Sequence, residues 1–84
     1  MSELLSMKNI GKEIARKLLS IGITTPPVLR DRGAKSTFAQ LKDRYPNVCL
    51  VHLYVLQGAI DDIEYTALSE DVKRELKAFS DRLK

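Results

Sequence analysis

The stretch Met7-Lys8-Asn9-Ile10-Gly11-Lys12-Glu13-Ile14-Ala15-Arg16-Lys17-Leu18-Leu19-Ser20-Ile21-Gly22-Ile23-Thr24-Thr25 decides how the rest of the chain is read. It spells a turn, a helix and a stop. Asn and Gly both tolerate positive φ, so Asn9 and Gly11 allow a sharp bend at each end of the turn, with Ile10 pointing inward between them. From Lys12 to Ser20 the apolar residues Ile14, Ala15, Leu18 and Leu19 recur at helical spacing. Glu13 and Lys17 are placed for an i,i+4 ion pair, and Lys12 and Arg16 share a face. Gly22 stands where a left-handed residue ends a helix, and Ile23 is expected to fold back on Leu18 in a Schellman ending.

Outward from this stretch the chain reads as further helix. Residues 2–6 form one turn, with Ser2 as cap and Leu4 and Leu5 facing inward. Thr25-Pro26-Pro27 starts a helix that buries Val28 and Leu29 and ends at Gly33. Lys35 to Arg44 carries Phe38, Leu41 and Tyr45 on one face and stops before Pro46. Asn47 is expected to cap a central helix over residues 48–60, apolar on nearly all sides. Gly58-Ala59 within it points to close approach of another helix, because glycine otherwise costs about 1 kcal/mol there. After a polar connection containing Asp61, Asp62 and Glu64, Ser69 caps a last helix. Its first turn holds Glu70 and Asp71, and Val72, Leu76, Phe79 and Leu83 form its apolar stripe.

Eighty-four residues hold one domain, 1–84, of all-α class. Net stability on this scale is of order 4–12 kcal/mol, which leaves little margin for a deep polar catalytic cavity. The 44% hydrophobic and 30% charged content argues against disorder. A single cysteine, Cys49, forms no internal disulfide, and neither a signal peptide nor an apolar run long enough for a bilayer is present, so the expected setting is the cytoplasm with no membrane partner. Residues 1–35 carry seven Lys or Arg against three acids, whereas residues 36–84 carry seven against eight. The basic half is the part suited to phosphate.

Asn9-Ile10-Gly11-Lys12, then Ala15, Leu18, Gly22-Ile23-Thr24-Thr25 and Leu29, resemble a helix-hairpin-helix segment. Continued through Arg30-Asp31-Arg32-Gly33-Ala34, Phe38, Leu41, Leu53-Tyr54, Leu56, Gly58-Ala59 and Leu68-Ser69-Glu70, the order is similar to the C-terminal domain of the TfoX family, regulators of natural competence (DNA uptake). The resemblance spans roughly residues 4–79. It implies a compact five- to six-helix, SAM-like domain with a regulatory role and no known catalysis. Full TfoX proteins carry a further, preceding domain. Departures from the pattern are Asp61-Asp62, where basic or small residues are common, Tyr65 in place of a frequent tryptophan, and Asn9 where DNA-binding hairpins usually have their first glycine.

The candidate chemistry is therefore binding. Backbone N–H groups near Ile10, Gly11 and Lys12, next to Asn9, open a helix N-terminus, and Lys8, Lys12 and Arg16 add charge, a combination that suits a nucleic-acid phosphate without reading base sequence. The plainer reading is a turn that only joins two helices. Cys49 and His52 at i,i+3 are two ligands short of a closed zinc site and are expected as a buried thiol and a partly buried imidazole. Asp61, Asp62 and Glu64 are either a solvated loop or a protein-contact site. Tyr54 is expected in the core. These residues favour a small non-enzymatic regulatory domain that touches DNA through residues 8–16, with no cofactor and no metal. The alternative is a protein-interaction module acting through another protein or a second copy.

Overall fold

The structure, a computed structural model, describes residues 2–83; the cap expected of the Ser2 side chain lies outside the described side chains. Six α-helices run in the order α1 (Ser2–Leu5), α2 (Lys12–Ser20), α3 (Pro26–Arg32), α4 (Ala34–Arg44), α5 (Leu50–Asp61) and α6 (Glu70–Arg82). One 3-10 turn, Tyr65–Ala67, which the sequence does not announce, lies between α5 and α6. No strand occurs among the described residues. The radius of gyration is 11.6 Å, close to the roughly 12 Å expected of a folded chain this long.

Each helix delivers at least one apolar side chain to a shared centre. Leu4, Leu18, Leu29, Phe38, Leu41, Leu53, Leu56 and Leu76 are almost completely withdrawn from solvent. Helix α5 packs against α3, α4, α6 and the 3-10 turn, which is the central position its apolar composition demands. Burial of such side chains is worth about 1.5–3 kcal/mol each and drives the assembly.

Local signals mostly set the ends. Helix α2 closes as a Schellman motif: Ile23 N–H donates to the Leu18 carbonyl at 2.9 Å, Gly22 N–H donates to that of Leu19 at 3.1 Å, and Gly22 has φ 87°. Pro26 occupies the first position of α3. Gly33, at φ 85°, ends α3 and begins α4, so α4 starts at Ala34, one residue earlier than expected. Ser69 Oγ accepts from Val72 N–H at 3.2 Å and caps α6.

Several expectations are corrected. Leu5 is exposed: the single turn of α1 presents Leu4 to the core, and its neighbour points further round the helix. The turn bends at one end only: Asn9 has φ 71°, whereas Gly11 is extended at φ −99°, ψ −178°. Glu13 pairs with Arg16 at 2.6 Å, not with Lys17. Asn47 does not cap the central helix. Val48 is buried and its N–H donates to the Tyr45 carbonyl at 3.0 Å, which carries the chain on to Cys49 as cap. Leu83 is exposed; the inward positions of α6 are Leu76 and Ser80, with Val72 and Phe79 half-buried.

Gly58 does mark a close approach, but not by a helix. A Cβ there would lie 2.6 Å from Asn9 Nδ2, 2.8 Å from the Ile63 carbonyl oxygen and 3.1 Å from Tyr65 Cα. The turn at residues 8–11 and the segment at 63–65 meet over this glycine.

Candidate nucleic-acid interface

The start of α2 has the features an anion needs. Gly11 is the N-cap and offers no side chain, and Gly11, Lys12 and Glu13 are exposed. The first helical hydrogen bond is Ala15 N–H to the Gly11 carbonyl, so the preceding amides have no helical partner. Lys8 and Lys12 are exposed and form no ion pair among the described residues. Arg16 shares the face of Lys12 but is held by Glu13.

Asn9 has a different task. Its side-chain amide donates to the Ile63 carbonyl at 3.0 Å, and its Oδ1 accepts from Tyr65 N–H at 3.3 Å. The residue adopts the left-handed backbone that a hairpin glycine would supply, and it spends its side chain on fastening two distant turns. Of the five hairpin residues singled out by sequence, the structure brings Lys8, Gly11, Lys12 and Arg16 to the surface and turns the amide of Asn9 inward.

The same fastening fixes the acidic residues. Asp61 ends α5 and is held by Gln57 Nε2 at 2.9 Å; Asp62 caps the helix at φ 59°. Asp61, Asp62 and Glu64 are all exposed. Two of them flank Ile63, the residue bonded to Asn9, so negative charge stands beside the hairpin within one molecule.

The other end of α2 is different. Tyr45, the C-cap of α4, donates its phenol hydrogen to Ser20 Oγ at 2.7 Å, and Ser20 in turn donates to the Lys17 carbonyl at 2.6 Å. Lys17 Nζ lies 5.6 Å and the Arg44 guanidinium 5.9 Å from the centre of the Tyr45 ring. The hydrogen bond to Ser20 and the Arg44 side chain hold the phenol below its ordinary pKa. Sequence reasoning missed this group because Lys17 and Tyr45 are 28 positions apart and no local pattern joins them.

Cys49 is exposed, not buried, and its Sγ is 3.6 Å from His52 Nδ1. The Cys49 N–H donates to that nitrogen at 3.1 Å, the reciprocal half of a capping box. Burial and then the Lys17 charge push the His52 pKa below its usual value. Tyr54 is half-buried, with its hydroxyl 3.5 Å from the Lys73 carbonyl. Among the described residues no three His, Cys, Asp or Glu side chains are grouped to hold a metal ion, and no helix is long and apolar enough to cross a membrane.

A model of the TfoX C-terminal domain matches residues 1–80. The chain belongs to the TfoX C-terminal domain family. Two crystal structures from Listeria monocytogenes share its fold. One, described as an uncharacterized protein in a triclinic form, is 39% identical with a TM-score of 0.93, over 95% of this chain and 91% of that one. The other, described as a protein of unknown function in a tetragonal form, is 38% identical with a TM-score of 0.93, over 96% of this chain and all of that one. No curated protein matches. This family member thus shares its fold with both relatives over nearly its full length.

Proposed function

We propose that this domain is a non-catalytic regulatory module that binds the phosphate backbone of nucleic acid without reading base sequence, through the outward face of α2. The observation that supports it is the N-terminus of α2, where the N-cap Gly11 has no side chain to bond the first amides, leaving them without a helical partner beside Lys8 and Lys12, with Arg16 one turn further on. Amides and helix dipole favour an anion there, and the lysines add charge. A sequence-level pI of about 9.2 is consistent with an anionic partner.

Affinity for a random DNA duplex should fall steeply between 50 and 200 mM salt, since each phosphate contact releases counterions. Lys12→Glu should weaken binding uniformly across sequences. An affinity for duplex that stays flat with salt would sink the mechanism.

A second reading is self-association. It is favoured by Asp62 and Glu64, which are exposed and form no ion pair among the described residues, and so suit a cationic face on another copy. Sedimentation that shows concentration-dependent association, disrupted by Asp61→Lys, with no DNA binding, selects this reading over the first.

A further inference from the structure

Resting on the nucleic-acid reading and deepening it, we infer that the main phosphate contact is not the hairpin but the ledge at the opposite end of α2, built from Lys17, Arg44 and Tyr45 with Arg16 beside it, and that it takes the backbone of duplex DNA.

The ledge is constructed rather than accidental. Two cations from different helices are held within about 6 Å of one ring centre. Like charges repel, so a pair converging on one point needs an attraction to hold it. The negative face of the Tyr45 ring supplies that attraction. The ring itself is fixed by the chain of hydrogen bonds from its hydroxyl to Ser20 and from Ser20 to the α2 backbone. The cations are therefore positioned by a rigid support, not left on free stems.

They are also available. Neither Lys17 nor Arg44 forms an ion pair among the described residues. The three cations of α6 that meet acids do so on their own helix: Lys73 with Glu70, Arg74 with Asp71 and Lys77 with Asp81. The charges that act on Tyr45 come from Arg44 and Arg16, and the one that acts on His52 comes from Lys17; all are positive. Asp43, the acid nearest in sequence to Arg44, lines a separate groove with Ala39, Lys42 and Leu83.

The hairpin end lacks this advantage. Asn9 is bonded to Ile63, whose sequence neighbours are Asp62 and Glu64. The loop fastened to the hairpin carries two exposed carboxylates, Asp62 and Glu64, whereas the group that gathers Lys17 and Arg44 is a neutral ring.

The test is fluorescence anisotropy with a labelled random DNA duplex across a salt series, on the full chain. Lys17→Glu with Arg44→Glu should weaken binding by about tenfold or more and reduce the salt slope by about 2. Lys73→Glu with Arg74→Glu makes the same change in net charge on α6 and should leave affinity within about twofold. If the charge-reversed ledge perturbs the fold by circular dichroism, Lys17→Gln with Arg44→Gln replaces it, with the same direction and a smaller loss. Wild-type binding that survives the ledge variants but is lost in Lys12→Glu overturns the ledge and leaves the hairpin reading standing. Equal losses from the ledge and α6 variants also overturn it, by reducing the effect to net charge. Absence of any duplex binding by the wild type overturns both. Binding to phosphatidylglycerol vesicles without binding to duplex overturns the choice of ligand.

Discussion

The two ends of helix α2 are closed by opposite means. The N-terminal end is secured by one side chain: Asn9, at φ 71°, reaches Ile63 and Tyr65 far along the chain. The C-terminal end is closed by local backbone bonds around Gly22. Arg32 adds a donor to the Ile21 carbonyl at 3.0 Å, and Tyr45 adds its phenol to Ser20. At the first end a polar residue does architectural work and brings acids with it. At the second the backbone closes the turn, Arg32 and Tyr45 reinforce it through neutral acceptors, and Lys17 and Arg44 beside it form no ion pair among the described residues. A residue placed where a binding motif would have it is therefore a poor guide to the binding surface until its side chain is traced.

The largest effect that probes this contrast is expected at Asn9. Asn9→Ala removes two hydrogen bonds, at about 1 kcal/mol each, and places a Cβ residue with little tolerance for left-handed backbone, for a total loss of about 3 kcal/mol. Asn9→Gly keeps the backbone and loses only the bonds, so it should cost about 2 kcal/mol or less. Equal urea midpoints for the two variants would show that the backbone conformation contributes nothing. Gly58→Ala comes next. Helix propensity favours the change by about 1 kcal/mol. The new Cβ meets two backbone atoms that cannot step aside, so a net loss of about 2 kcal/mol is expected in the same titration.

Gly22→Ala tests the other end. Nothing lies within 4 Å of a Cβ there, so only the positive φ opposes it, and the cost should be about 1 kcal/mol. A loss as large as that at Gly58 would mean the C-terminal end is also closed by packing. The smallest effect is expected from pH. The folded state holds His52 below its ordinary pKa, so the unfolded chain binds the proton more readily. Stability from this group is complete above the unfolded value of about 6.5 and declines as pH falls from there toward the folded value. His52→Gln keeps a side chain able to complete the capping box. Its melting temperature should lose that portion of the decline between pH 7.5 and 5.5.

What the sequence disclosed follows the range of each interaction. Gly22-Ile23, Pro26 and Ser69 were legible because their partners lie within a turn. Cys49 was not, because Asn47 is the better cap by residue type and only the burial of Val48 moves the start of α5 onward. Gly58 announced a close approach without naming the visitor, since Asn9 arrives from the far end of the chain. For Lys17, the local rule that pairs it with Glu13 lost to a ring supplied by another helix. The candidate surface was legible at Lys12 and Arg16 and hidden at Arg44 and Tyr45 for the same reason.

The Asn9 fastening has a consequence in time. It spans 54 residues to Ile63 and 56 to Tyr65, while the contacts around it are largely between neighbouring helices. Closing so long a loop costs entropy that is recovered only once the intervening helices have collapsed. The bond pair should therefore form after the folding barrier has been crossed. Asn9→Ala is expected to hasten unfolding in stopped-flow traces while leaving the refolding rate almost unchanged. The link between the first turn and the last third of the chain would then act as a latch, one that governs how long the folded domain lasts rather than how quickly it is made.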